Sequence, residues 1–228
     1  MKTVLFVRHG QSEAQLGAPT DAPGAARLTK LGREQASLTA DYLHSISNGQ
    51  VLLVNSSYRR SIETADAIEK RAWRILSRIE MPVQEFTYLA WEGLRGTTAQ
   101  ERLAFVEKYW AKGDATHIDG PGAESFEGVM HRVVRVLRSL RELPDKNIIV
   151  VSHANFMRAL LFMILRGDEY LEDMDANMMK RYQEFRSGVR FPNTAVVPVM
   201  FNDLDEGRRG WLAGGISDGH LPEEKRSE

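Results

Sequence analysis

The chain has 228 residues, 43% of them hydrophobic, and no cysteine. That is apolar material for one sizeable core, and it excludes disulfides, thiolate nucleophiles and thiolate metal sites. With 30 basic and 31 acidic residues the formal net charge is -1, so no global field draws nucleic acid or an anionic membrane, and any anion site has to be local.

The first predicted element is a strand. Val4 to Val7 is a short apolar block stopped by Arg8, His9 and Gly10, too short for a buried helix. It is also too short for a signal-peptide core, and no segment has the apolar length of a membrane span, so the cytoplasm is the expected compartment. A Gly-, Pro- and Ala-rich loop with one helical turn follows, then a helix from Leu28 with Thr29 as N-cap. Val51 to Ser57 reads as a second buried strand, and Ser57 to Ile75 as a helix carrying Arg59 and Arg60 at its start. Met81 to Val83 reads as a short edge strand. Residues 85–127 read as an insert over the site, without clear periodicity in places. An amphipathic helix starts at Ser125 and ends before Pro144; Asn147 to His153 is a third buried strand, and the helix after it ends at Gly167. Pro192 to Phe201 is a last strand or strand pair, and the tail, about 205–228, is expected to be charged and frayed.

This alternation predicts an α/β fold, a mainly parallel sheet covered by helices on both faces, in a single domain spanning 1–228 with its insert over the C-terminal edge of the sheet. Three strands then end in chemistry at that edge: Arg8-His9-Gly10, Ser56 to Arg60, and Ser152 to Asn155. Two histidines beside two arginines suit a phosphoryl group, because guanidinium forks match its oxygens and a neutral imidazole can accept it. Neighbouring arginines keep that imidazole unprotonated. Gly10 permits close backbone approach. Each element alone has a plainer reading: a strand-end histidine is usually structural, and arginines at a helix start are usually solvated. The helix dipole opposes cations there, however, so a locally unfavourable arginine points to another demand.

At these residues the sequence resembles the histidine phosphatase superfamily, the phosphoglycerate mutase-like proteins, in the branch of small bacterial-type phosphomonoesterases. RHGQS at Arg8 matches the signature with the nucleophilic histidine, and LTKLGREQA at Leu28 the pattern L-T-x-x-G-x-x-Q-A. SSYRRSIETA at Ser56 matches S-x-x-x-R-x-x-x-T-A, whose register selects Arg60 over Arg59. GAESFEGVMHR at Gly122, VVSHANFMRAL at Val150 and PNTAV at Pro192 match later elements. The resemblance implies a phosphohistidine on His9 and phosphate or substrate contacts from Arg8, Ser12, Gln15, Arg60, His153 and Ala154. It also implies a carboxylic acid that protonates the leaving oxygen, at Glu85 by alignment of VQEFTYLAWEGL with L-x-E-x-x-x-G-x-W-E-G-L, with Glu92 and Glu124 as rivals. Gln15 stands where the family has Asn, and Ala154 and Leu89 where it has Gly; these changes reshape the mouth and remove no charge.

The expected activity is hydrolysis of a small organic phosphomonoester without cofactor or metal, since the arginines supply the positive charge and no metal-ligand pattern is present. The alternatives are a mutase, which returns the phosphoryl group to another oxygen, and a phosphate-binding module without turnover. Tyr88, Trp91 and Arg102 are candidates for contacting the leaving group, although insert aromatics usually pack. Arg132 and Arg158 are expected to anchor packing or pair with acids, and His44, His117, His131 and His220 to be surface or structural.

Overall fold

In the computed structural model, which describes residues 1–47, 49–71, 74–166, 175–202 and 210–228, the alternating pattern becomes a sheet of six strands with helices on both sides. The strands are β1 (Lys2–Arg8), β2 (Val51–Asn55), β3 (Ile75–Glu80), β4 (Asn147–Ser152), β5 (Val196–Asn202) and β6 (Gly210–Ala213). The helices are α1 (Lys30–Ile46), α2 (Arg59–Arg71), α3 (Leu103–Ala111), α4 (Phe126–Glu142), α5 (Ala154–Arg166) and α6 (Ala176–Gly188). The strand order is β3-β2-β4-β1-β5-β6; β3, β2, β4 and β1 run parallel, and β5 and β6 are antiparallel additions at one side.

Central strands are apolar on both faces because both are covered. Val4, Phe6, Leu52, Val54, Ile148 and Val150 face the cluster built with α4, α5 and α6. Val7, Val51, Leu53, Ile149 and Val151 face the opposite cluster, with Ala40 and Leu43 of α1 and Ala65 and Ile68 of α2. Side-chain caps fix the helix starts as the sequence indicates: Thr29 Oγ1 accepts from Gly32 N at 2.9 Å, and Ser125 Oγ from Gly128 N at 3.0 Å.

Three expectations need correction. The helix from Ser57 does not reach Ile75: it closes at Arg71, and Ile75–Glu80 forms the edge strand instead of Met81–Val83. Half of β3 is exposed, so it carries no continuous apolar run, and Pro82 ends its usefulness as a donor immediately afterwards. The tail is not frayed where it is described. Trp211 and Leu221 are buried, Val196 bridges to Ser217, and the last residues lie across α1, where Gln35 Nε2 donates to Lys225 O at 2.7 Å and to Ser227 Oγ at 2.9 Å. The insert also holds regular structure, α3, whose Tyr109 and Trp110 pack with Phe86 and Tyr88. The expected end of α5 at Gly167 lies outside the described residues. No described helix is long and apolar enough to cross a membrane.

Candidate active site

The C-terminal ends of β1, β2 and β4 meet as parallel neighbours, with Arg8 opposite Ser152 and Asn55 opposite Val151 in register. Residues just past those ends therefore converge. His9 and His153 pack at a tilt, with ring centroids 5.0 Å apart and planes at 55°. Arg60, in the first turn of α2, donates from Nε to His9 Nε2 at 3.0 Å and from an Nη to Pro23 O at 2.9 Å. Arg59, one residue earlier, points out and pairs with Glu63 at 3.0 Å.

The His9 tautomer follows from its partners. Nδ1 lies 2.7 Å from Gly10 O, an acceptor only, so Nδ1 carries the proton; Nε2 then offers its lone pair toward the Arg60 donor. Burial, then Arg60, then Arg8 hold His9 well below the usual imidazole range, so the ring is neutral and Nε2 is available as a nucleophile. The main chain of His9 is fixed by its N–H to Ser152 O at 3.0 Å and by Thr194 N–H to its carbonyl at 3.3 Å. Thr194 adopts a left-handed backbone, φ 57°, a costly conformation for a β-branched residue that here aims its N–H at His9. Gly10 does serve close approach, but to α1: a Cβ there would stand 2.4 Å from Gly32 O.

His153 is fully buried behind His9. Ser56 Oγ accepts from Tyr58 N at 3.3 Å and lies 2.7 Å from His153 Nε2; with the Ser56 O–H directed to Nε2, the ring proton falls on Nδ1. That Nδ1 has no hydrogen-bond partner among the described residues. Burial, then Arg60, His9 and Arg8, keep His153 neutral too. Arg8 donates to Phe191 O, while its Nε is buried without a partner. Burial pushes its guanidinium down to about 10 despite the carboxylate of Glu85. Unsatisfied donors, concentrated cations and a neutral histidine fit a phosphate oxyanion.

Arg8, His9 and Arg60 open on a cavity of about 470 Å³ that Tyr58, Glu85, Asn155, insert residues and Arg186 also line, while His153 is buried off its wall. Glu85 is the one carboxylate among the described residues of its wall. Its Oε1 accepts from the backbone N–H of Phe86 at 3.0 Å, Asn155 at 2.9 Å and Phe156 at 3.1 Å, seating it on the N-terminus of α5. The rivals are elsewhere: Glu92 is exposed, and Glu124 is held by Arg132 at 2.8 and 2.7 Å. Arg132 also donates to Pro82 O and Gln84 O, both at 2.9 Å, so it anchors the segment that delivers Glu85.

Other expected contacts are placed differently. Gln15 lines the cavity, but its amide is committed: Oε1 accepts from Ser12 N at 3.0 Å and Ser12 Oγ at 3.1 Å, and Nε2 donates to Asn193 Oδ1 at 3.1 Å and Glu228 O at 2.8 Å. Ser12, which also lines the cavity, belongs to the same network. Ala154 is buried and off the cavity wall, where its neighbour Asn155 stands. Tyr88, Trp91 and Arg102 do line the cavity. Arg158 bonds Val189 O at 2.8 Å and Asn155 Oδ1 at 3.0 Å, an anchoring role. His220 stacks on Tyr42, centroids 4.7 Å apart, and none of His44, His117, His131 and His220 lines the cavity. Sequence reasoning missed Arg186, on a helix whose weak amphipathicity announces nothing. It also missed the Ser56–His153 bond, which needs two strand ends to be juxtaposed. Among the described residues no group of three or more acidic or histidine side chains could hold a metal ion.

Against known proteins, the model of the histidine phosphatase superfamily (branch 1) matches residues 4–179. A bifunctional protein of Mycobacterium tuberculosis is 28% identical over 197 residues, 83% of this chain and 53% of its own length. The 6-phosphofructo-2-kinase/fructose-2,6-bisphosphatase of Gallus gallus is 29% identical over 168 residues, 72% of this chain and 33% of its own. The chain thus spans about half the length, or less, of these curated relatives. Among solved structures, a phosphoserine phosphatase variant of Entamoeba histolytica with phosphoserine aligns with TM-score 0.69 at 18% identity, covering 97% of this chain and 100% of that one. The mycobacterial glucosyl-3-phosphoglycerate phosphatase with VO3 aligns with TM-score 0.68 at 22% identity, covering 93% and 97%. These two likenesses are ones of fold.

Proposed function

The chain belongs to the histidine phosphatase superfamily, branch 1, and on that premise we propose that it hydrolyses a small organic phosphomonoester through a phosphohistidine on His9. The observation that carries the reading is the oriented, neutral imidazole of His9, with Nδ1 tied to Gly10 O and Nε2 facing Arg60. In the first step Nε2 attacks phosphorus in line, the P–O ester bond breaks, and Glu85 gives its proton to the departing alkoxide. In the second, water attacks the phosphohistidine, Glu85 recovers a proton from it, and inorganic phosphate leaves with His9 restored. Arg8 and Arg60 hold the phosphoryl oxygens, and His153 Nδ1–H is the further donor assigned to them. Glu85 is supported in its role by being the one carboxylate among the described residues of the cavity wall.

That the two structural neighbours named above are phosphatases supports hydrolysis over transfer. The test is rapid quench with an aryl phosphate in chelator-containing buffer. A burst of alcohol with an acid-labile, base-stable phosphoprotein, both absent from His9→Ala, is the expected result. Long-lived phosphoprotein with little free phosphate would move the reading to a mutase; phosphate binding with no phosphoprotein would move it to a binding module. A His9→Ala protein that keeps full turnover would refute the nucleophile.

A further inference from the structure

The wall of the same cavity carries two guanidinium groups that the phosphoryl chemistry leaves unused, Arg102 and Arg186. Each is held by its flat face. Arg102 Cζ lies 4.7 Å from the Trp91 ring and Arg186 Cζ 4.5 Å from the Trp110 ring, which fixes the planes and leaves edge N–H groups for a ligand. Arg102 spends one Nη on Thr97 O at 2.8 Å, and Arg186 lies beside Tyr88, which also neighbours Arg102. Among the described residues neither forms a salt bridge, whereas Arg59, Arg78, Arg132 and Arg190 all do; Glu101 acts on Arg102 only electrostatically.

Charge and size point the same way. Four arginines, Arg8, Arg60, Arg102 and Arg186, line one cavity with a single carboxylate, Glu85, among its described residues. A transferring phosphoryl group engages Arg8 and Arg60 and leaves Arg186 and Arg102 without a salt-bridged carboxylate in a partly desolvated space, where an unmatched charge is costly. The cavity, about 470 Å³, is also far larger than a phosphoryl group needs. The wall also carries apolar side chains, Phe86, Leu89, Leu103 and Val106.

We propose that Arg186, with Arg102, forms a second anion subsite that reads the leaving group: the substrate is a phosphomonoester whose alcohol carries a further oxyanion, a carboxylate or phosphate, across an apolar spacer. Arg186 reaches the cavity from α6, most of which lies beyond the 4–179 match, whereas Arg102 lies within it. The inference rests on the phosphomonoesterase reading of the His9 site, and the probes are chosen to separate the two.

Non-hydrolysable phosphonates test it by calorimetry on the full chain. 4-(Phosphonomethyl)benzoate, its neutral benzamide and the 1,4-bis(phosphonomethyl) analogue share one spacer and one inner phosphonate. The expected result is tighter binding of a doubly anionic probe over the benzamide by about tenfold or more, with the ratio collapsing toward one in Arg186→Gln and falling in Arg102→Gln. The benzoate and bisphosphonate arms show which oxyanion is preferred. Arg190→Gln, which removes an exposed pair with Glu228, should leave the ratio unchanged. Equal binding of charged and neutral probes by the wild type, or a preference surviving in both Arg186→Gln and Arg102→Gln, overturns the proposal. Phosphonate selectivity without turnover of any monoester would instead refute the phosphatase reading and leave the subsite standing.

Discussion

Replacing Arg132 by Met keeps the stem and deletes a buried guanidinium that makes four hydrogen bonds: two to Glu124, at 2.8 and 2.7 Å, and one each to Pro82 O and Gln84 O, at 2.9 Å. Its side chain is 5% exposed and that of Glu124 25%. Charge-assisted bonds are worth roughly 1.5–3 kcal/mol each before the cost of burying the charge is returned. Removing one partner of a buried pair typically costs ~3–5 kcal/mol. Because Glu124 can rehydrate, the lower end applies, about 3 kcal/mol, which for a chain of this length corresponds to a fall in Tm of roughly 6–12 °C. Urea titration with unchanged m should return that loss. The same change should act on chemistry through position, since Pro82 and Gln84 flank the approach to Glu85. Turnover of alkyl phosphates, whose leaving oxygen needs a proton, should fall more than turnover of p-nitrophenyl phosphate, whose leaving group does not. A stability loss below about 1 kcal/mol, or equal effects on both substrate types, would refute the argument that Arg132 carries the Glu85 segment.

Glu85→Gln removes the proton donor directly and should lower kcat on alkyl phosphates by roughly 10²–10⁴-fold, with little effect on p-nitrophenyl phosphate; stopped-flow and steady-state rates on the two substrates decide it. Gly10→Ala places a Cβ 2.4 Å from Gly32 O, a clash of backbone with backbone that neither side can relieve by a rotamer change; a loss of about 3 kcal/mol, the upper end for overpacking, should appear in chemical denaturation. His9 and His153 have folded pKa values below the usual imidazole range, so the unfolded chain binds more protons in acid. Their contribution is present above the unfolded value of about 6.5 and is lost as pH falls below it, by up to about 1.4 kcal/mol per unit for each ring. Denaturation midpoints across that range should drop in the wild type and drop less steeply in His153→Gln; a slope identical in the two proteins would show that His153 is not buried neutral.

By itself the sequence determined the elements whose signals are local. Val4 to Val7 and Ile148 to Val151 are apolar runs because parallel central strands are covered on both faces, and Thr29 and Ser125 announce helix starts because a side-chain oxygen must meet an orphan N–H. It likewise brought His9, Arg8, Arg60 and His153 to one edge, since parallel strands that end in chemistry can end only there. Tertiary structure decided what depends on partners distant in the chain. The edge strand β3 draws its stability from pairing with β2, which no apolar run of its own records. The tail is held by Gln35, Asn193 and Gln15, whose side-chain amides satisfy backbone and hydroxyl groups around 190 residues or more away in the case of Gln35 and Gln15. Gln15 is the clearest case: its identity suggests a phosphate contact, and only the fold shows that its amide, on the cavity wall, is hydrogen-bonded to Ser12, Asn193 and the distant carbonyl of Glu228. Arg186 joins the cavity for the converse reason, because α6 packs its guanidinium against Trp110 of the insert, a contact between segments whose separate sequences carry no trace of each other.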